Sequence, residues 1–183
     1  MAKQGKKMDY ETMMDIYKNV GTLGEPHKLF AKLEGSWVTR SRGWMEPGKP
    51  PMESTGACEQ KLILDGRYLR QEYTGDMGGH PYAGISILGY NNHTGKYESI
   101  WIDTMSTAIY FFEGTASKDG KVITQKCSYD DPVKGPCVWR TVTRIRDDGA
   151  QEFEMFLTPK GGKEEKMMDM TVERRKAEAL KAA

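Results

Sequence analysis

The sequence predicts an all-β fold: an up-and-down antiparallel β-barrel of about ten strands preceded by an N-terminal helix. Three observations carry this. Gly35-Ser36-Trp37 places a Gly-x-Trp triplet at the entry to the first strand. From there to Glu173, short segments of strand character follow one another, separated by turns rich in Gly, Asn, Asp and Pro. No helical segment lies between them, which excludes a parallel sheet with its long crossovers.

Residues 9–20 read as a helix, with Asp9 as cap and Tyr10, Met13, Met14, Tyr17 and Val20 recurring on one face. Gly21 and Gly24 end it, and Glu25-Pro26 starts a second helical turn in which Leu29, Phe30 and Leu33 are placed to pack. The helix is expected against the barrel or over one of its openings. Strands are expected near 35–45, 53–64, 67–75, 80–90, 96–103, 107–116, 121–129, 137–146, 150–158 and 164–174. Alternation is plain in Phe153, Met155 and Leu157 against Glu152 and Glu154, and in Trp139, Thr141, Thr143 and Ile145 against Arg140, Arg144 and Arg146. The organisation is thus a helical segment (1–34), a barrel (35–175) and an Ala- and Lys-rich tail (176–183) expected to be a frayed helical end.

Consecutive hairpins alternate between the two ends of a barrel. One end collects the tight turns at 65–66, 91–95, 118–120 and 147–149, the kind that seals a barrel. The other collects the longer, Pro- and Met-rich loops at 46–51, 76–81, 103–107, 130–136 and 159–163. Function concentrates on loops of the second sort. The chain is therefore expected to have a closed end near Trp37 and an open mouth.

Composition removes several classes. With 27 Lys+Arg against 26 Asp+Glu the net charge is +1, and the basic residues form no stripe, so nucleic acid is not an expected partner. The basic start has no apolar stretch behind it, and no segment is apolar enough to span a bilayer, so a cytoplasmic protein without a membrane role is expected. Cys58, Cys127 and Cys137 make no zinc spacing, and neither metal nor cofactor is expected. Cys127 and Cys137 are symmetric about the turn 131–136, which leaves a cross-strand disulfide conceivable beside two reduced, half-buried thiols. No nucleophile elbow, P-loop or dinucleotide fingerprint is present.

Gly-x-Trp on the first strand with a late arginine at the same end resembles the calycin superfamily of lipocalins and fatty-acid-binding proteins. A closer resemblance rests on Gly24-Glu25-Pro26-His27-Lys28-Leu29, Leu33-Glu34-Gly35-Ser36-Trp37, Gly66-Arg67-Tyr68-Leu69-Arg70-Gln71-Glu72-Tyr73, Gly89-Tyr90-Asn91 and Tyr97-Glu98-Ser99-Ile100-Trp101-Ile102-Asp103. These stretches are similar to a bacterial family of uncharacterised proteins, domain of unknown function 1579. The resemblance implies a calycin-like barrel and no established reaction or ligand. Haem-binding barrels of the nitrobindin type use a histidine on a late strand, but the last histidine here is His93. Fatty-acid-binding proteins clamp a carboxylate with Arg-x-Tyr on the final strand, which Thr171-Val172-Glu173-Arg174-Arg175 does not supply.

Candidate residues follow from these placements. Gly35, Trp37 and Arg174 are expected to form the barrel base, the cation packing on the indole. Tyr73, Tyr82, Trp101, Trp139, Met155 and Met168 are taken as inward, with Asp103 and Met105 at the mouth, as a ligand-binding set. Asp103 reads either as a polar group that orients a ligand or as an Asx-turn into Thr104-Met105-Ser106. His80 beside Gly78-Gly79 has an intrinsic pKa suited to acid–base work, while His27 reads as a capping or surface residue and His93 as a turn residue. Arg70, Glu72, Arg140 and Arg144 are expected outside, as cross-strand ion pairs.

Three functions remain open at this level. The first is a barrel that binds a small amphiphilic or hydrophobic molecule inside. The second is an isomerase or hydrolase using Asp103 and His80. The third is a self-association module with a filled barrel, and a homodimer fits the base rates of soluble proteins.

Overall fold

A computed structural model of the chain describes residues 8–46 and 48–176; the tail expected at 176–183 falls almost wholly outside them. Asp9 caps the first helix by accepting the Thr12 amide hydrogen at 2.8 Å, and α1 runs Tyr10–Val20. A second helix, α2, spans Glu25–Leu33 with Pro26 in its first turn, where a missing N–H costs nothing. Ten strands follow: β1 Gly35–Gly43, β2 Met52–Ile63, β3 Tyr68–Met77, β4 His80–Asn91, β5 Lys96–Asp103, β6 Tyr110–Ala116, β7 Val122–Asp131, β8 Gly135–Ile145, β9 Gln151–Pro159 and β10 Glu165–Arg174. Each pairs antiparallel with its chain neighbours, and β10 pairs with β1 to close the barrel. The fold is an up-and-down barrel of ten strands, so no edge is left open.

Register assigns the faces. Trp37 lies opposite Cys58 on β2 and Arg174 on β10, and following these pairs around the sheet puts one alternate set inside. Opposite charges decorate the other set: Arg42 with Asp169 (2.8 and 2.9 Å), Arg140 with Glu164 (2.7 Å), Arg144 with Glu154 (2.5 Å) and Arg70 with Glu72. Such exposed pairs contribute little each; their value here is to keep this part of the wall polar.

The base is sealed from below by α2. Its Phe30 and Leu33 enter the barrel and pack with Leu69, Leu88, Tyr97, Ile123 and Ile145 in one buried cluster. Beside it, Trp37, Cys58, Ala150 and Val172 form a second. Helix α2 therefore plugs the closed end. Helix α1 does not pack over either opening; none of its residues is buried, because only its C-terminal end is held to the barrel.

Cys127 and Cys137 are not opposed. The hairpin closes with Asp131 opposite Gly135, so Cys127 faces Trp139 and Cys137 faces Tyr129. The two thiols are diagonal neighbours on one face, at a Cα separation of roughly 7–8 Å, too wide for an unstrained bridge. All three cysteines are buried and free.

Candidate functional site

The base is built around one indole. Trp37 is fully buried and donates Nε1–H to the Leu33 carbonyl at 3.0 Å, tying β1 to the end of α2. The Arg174 guanidinium lies over the ring, 4.4 Å from its centre, and donates to the carbonyls of Lys32 (2.9 Å) and Glu34 (3.2 Å). Gly35 sits at φ +132°, and a β-carbon there would stand 2.9 Å from Arg174 Nη1. Gly35, Trp37 and Arg174 thus form one closure, in which the arginine satisfies carbonyls that the helix end leaves unbonded.

Polar side chains stand among the apolar base residues and just above them, Gln151 opposite Ile145 and Val172 and Gln60 opposite Gly35. Gln60, Gln71, Gln125 and Gln151 come from β2, β3, β7 and β9, and all are buried, together with Thr39 and Thr141. Gln71 Nε2 donates to Gln60 Oε1 (3.2 Å) and to the Tyr73 hydroxyl (3.4 Å). Gln125 accepts from Ser99 Oγ at 3.3 Å and donates to the carbonyls of Tyr97 and Phe112. Three donors stay buried without a partner among the described residues: Gln60 Nε2, Gln151 Nε2 and Trp139 Nε1. An unmet buried donor costs about 1–3 kcal/mol, so each of these atoms favours an oxygen acceptor beside it. Strand periodicity points to the apolar members of this face and to Thr141, but not to the glutamines. The available signal was a glutamine standing between inward apolar positions, as in Ile123-x-Gln125-x-Cys127.

The half toward the mouth is lined differently. There Trp101, Met155 and Met168 share the inward face and remain part-exposed, while Cys127, Cys137 and Leu157 are buried; part-exposed Thr143, Phe153 and Met170 stand lower, one step from Ile145, Gln151 and Val172. Met155 and Met168 are cross-strand neighbours, and Tyr73 meets Trp101 edge to face at 5.5 Å. Trp139 and Tyr82 lie on the same face. Burial raises the Tyr73 hydroxyl pKa far above its ordinary value, and raises that of Tyr82 as well. The Cys58 thiol, desolvated beside Tyr73, is pushed up to about 12. These phenols and this thiol are neutral at physiological pH.

Asp103 is the inward carboxylate of this half, and its donors are all internal. Trp101 Nε1–H reaches Oδ2 at 2.7 Å, the Tyr82 hydroxyl reaches the same oxygen at 3.3 Å, and the Met105 amide reaches Oδ1 at 2.9 Å. The last contact is an Asx-turn, so the carboxylate fixes both the indole and the loop that follows β5. Met105 itself is 66 % exposed at the rim. His80 is exposed at the tip of the β3–β4 hairpin, opposite Met77. It lies four residues beyond Gly84, the partner of Asp103, about 13 Å along the strand. The structure does not bring Asp103 and His80 together.

Among the histidines, His27 departs from a surface role. It caps α2 by accepting the Gly24 amide hydrogen on Nδ1 at 3.0 Å, but it is buried, edge-on to Phe30 and Tyr90, and burial lowers its pKa. Among the described residues no group of three or more His, Cys, Asp or Glu is placed to hold a metal, and no helix is long and apolar enough to cross a membrane.

Comparison with known proteins agrees with this architecture. The crystal structure of Rv2717c from M. tuberculosis is similar, with a TM-score of 0.62 and 18% sequence identity over 85% of this chain and 100% of that one. A redesigned β-barrel, b11L5F_LGL, is similar at a TM-score of 0.43 and 13% identity, over 81% of this chain and 96% of that one. Among curated proteins none matches the chain significantly. Residues 22–174, from the loop before α2 to the arginine that closes the base, match the family described as Protein of unknown function (DUF1579), and the chain belongs to that family.

Proposed function

We propose that the barrel holds a small, uncharged amphiphile, its apolar body in the mouth half and its oxygen atoms toward the polar belt. The observation that carries this reading is the contrast between the two halves of one interior. Below, side chains from α2 and the strands fill the barrel; above, inward Trp101, Met155 and Met168 keep part of their surface exposed beside buried Leu157, Cys127 and Cys137. Methionine and aromatic walls suit an irregular apolar ligand, and a few polar groups suit its orientation.

The chemistry of the lining narrows the class. The interior's unmet atoms, on Gln60, Gln151 and Trp139, are all N–H donors, so they suit carbonyl, ether or hydroxyl oxygen. Every Lys and Arg on the described strands lies on the outward face except Arg174, which is spent on the base carbonyls. A carboxylate inside would therefore meet no free cation and would face Asp103. Neutral esters, ketones and alcohols fit where fatty acids do not.

The test is native mass spectrometry of freshly purified protein, with denaturing extraction of anything carried along. A stoichiometric neutral amphiphile is the expected result. In parallel, long-chain alcohols and methyl esters should raise the melting temperature, since a ligand selective for the native state stabilises it. The matching carboxylates should not. A clean apo mass with no response to any of these compounds removes the proposal.

A further inference from the structure

Helix α1 is amphipathic, and its apolar side is uncovered. Tyr10, Met13, Met14, Ile16, Tyr17 and Val20 fall in one arc, with Glu11, Asp15 and Lys18 on the other side, and none of the six is buried. Tyr10 and Tyr17 are 70 % and 62 % exposed. An isolated helix this short is marginal in water, and tertiary cover normally supplies its stability. Its root is nevertheless fixed. Asn92 Nδ2 donates to the carbonyls of Val20 (2.8 Å) and Thr22 (2.7 Å), and the Arg67 guanidinium reaches the Gly21 carbonyl at 3.4 Å.

A counter-surface stands on the outer wall beside that root. Ile87, Ile100 and Phe111 are abreast on β4, β5 and β6, with Ile85 and Ile102 in the next row. Tyr68 and Ile109 extend the patch, and Val20 shares with Tyr68, Ile87, Ile100 and Phe111 a groove of about 440 Å³. Arg70, Glu72, Glu98 and Glu113 border it. An apolar patch with a polar rim marks an interaction site.

We infer that the protein pairs as a two-fold dimer in which α1 of each copy lies across the β4–β6 wall of the other. One chain carries both complementary faces, so a single two-fold axis satisfies both and the pair closes on itself. The pinned root leaves α1 off its own wall, whose Phe111 and Ile109 remain 51 % and 71 % exposed. The surface is sufficient in size. Tyr10, Tyr17, Tyr68 and Phe111 together offer on the order of 400 Å² for cover, about half of the ~800 Å² that each partner buries in a standard interface, before the methionines and isoleucines are added. The pairing stands on the outer wall and owes nothing to what the interior holds.

Sedimentation equilibrium on the full chain tests it, at roughly 10 µM, where an interface of standard size stays associated. The expected mass is twice the 20.7 kDa of one chain. Tyr17→Lys and Ile100→Lys should each halve it with the far-UV circular dichroism unchanged; Tyr17 is on an unpacked helix, so that variant cannot fail by unfolding the barrel. Oxidising a mixture of the Met14→Cys and Ile100→Cys variants should join one chain of each kind. A mass of one chain, or a dimer indifferent to both lysines, overturns the inference. In a Met14→Cys/Ile100→Cys chain, a bond closing only within one molecule also overturns it. So does a monomer that sediments with phosphatidylglycerol vesicles, which would give the apolar face to a membrane.

Discussion

A β-carbon at Gly84 would stand 2.4 Å from the Trp101 ring, so glycine is what lets the indole lie flat on β4 and reach Asp103. Gly84→Ala is expected to cost about 1–3 kcal/mol by overpacking, read from urea unfolding, and to shift tryptophan emission as Nε1 loses its carboxylate. Arg174→Ala should cost about 1–2 kcal/mol through the lost carbonyl bonds and ring contact. Arg174→Lys should not recover this, because one ammonium cannot serve two carbonyls and the ring together. His27 yields a signed pH prediction. Burial holds its folded pKa below the unfolded value of about 6.5, so the unfolded chain binds the proton first as pH falls. Its contribution is complete above about pH 6.5 and is lost on acidification. Protonation also removes the lone pair that caps Gly24. The denaturation midpoint should fall from pH 7 toward pH 5.5, and His27→Leu should flatten that interval; parallel slopes would assign the loss to another group.

At the scale of elements, α2 and α1 show how far a periodic pattern reaches. Both present an apolar face in the sequence, yet Phe30 and Leu33 are sealed in the barrel while Tyr10 and Tyr17 face outward. Periodicity identifies a face and not the surface that covers it. Phe30→Ala should therefore cost about 3–5 kcal/mol in chemical denaturation, because it removes the plug of the closed end and the base cannot collapse around a rigid sheet. A loss below 1 kcal/mol would mean that α2 rests on the barrel without sealing it. The strands were legible because inward and outward positions alternate; β5 begins and ends where its pattern does, at Lys96 and Asp103. The start of β6 was not. It begins at Tyr110, since Ser106 Oγ binds the Ala108 amide and the Tyr110 hydroxyl and holds the loop open. The offset of Cys127 from Cys137 was hidden for a related reason: the hairpin register is set by the turn's backbone, and Gly135 at φ +70° moves the centre by one residue. At the site, the inward aromatic and methionine positions followed from alternation, but the glutamine belt did not, because it occupies apolar positions with polar residues.

For the whole molecule, closing ten strands into a barrel commits one face of each to a shared interior, and the ionisable groups placed there are largely thiols and phenols. Cys58, Cys127, Tyr73, Tyr82 and Tyr97 all have pKa values raised mainly by burial, Cys58 to about 12. In the unfolded chain these groups ionise from about pH 8.5 for thiols and about pH 10 for phenols. Above those values the unfolded state holds fewer protons than the folded one, so stability falls as pH rises. The barrel should accordingly be sensitive to alkali, with the first loss belonging to the thiols. The free energy of unfolding should decline between about pH 9 and pH 10.5, and Cys58→Ala should remove part of that slope even though it lowers stability at neutral pH. Phenolate absorption should appear in the same pH step as loss of near-UV circular dichroism, because buried phenols gain access to base only when the sheet opens. Phenolate forming while the barrel keeps its near-UV spectrum would mean that hydroxide enters through the mouth. Bound amphiphile should then delay that step, because it would occupy the same passage; a ligand that stabilises the fold without delaying it would have to sit outside the barrel.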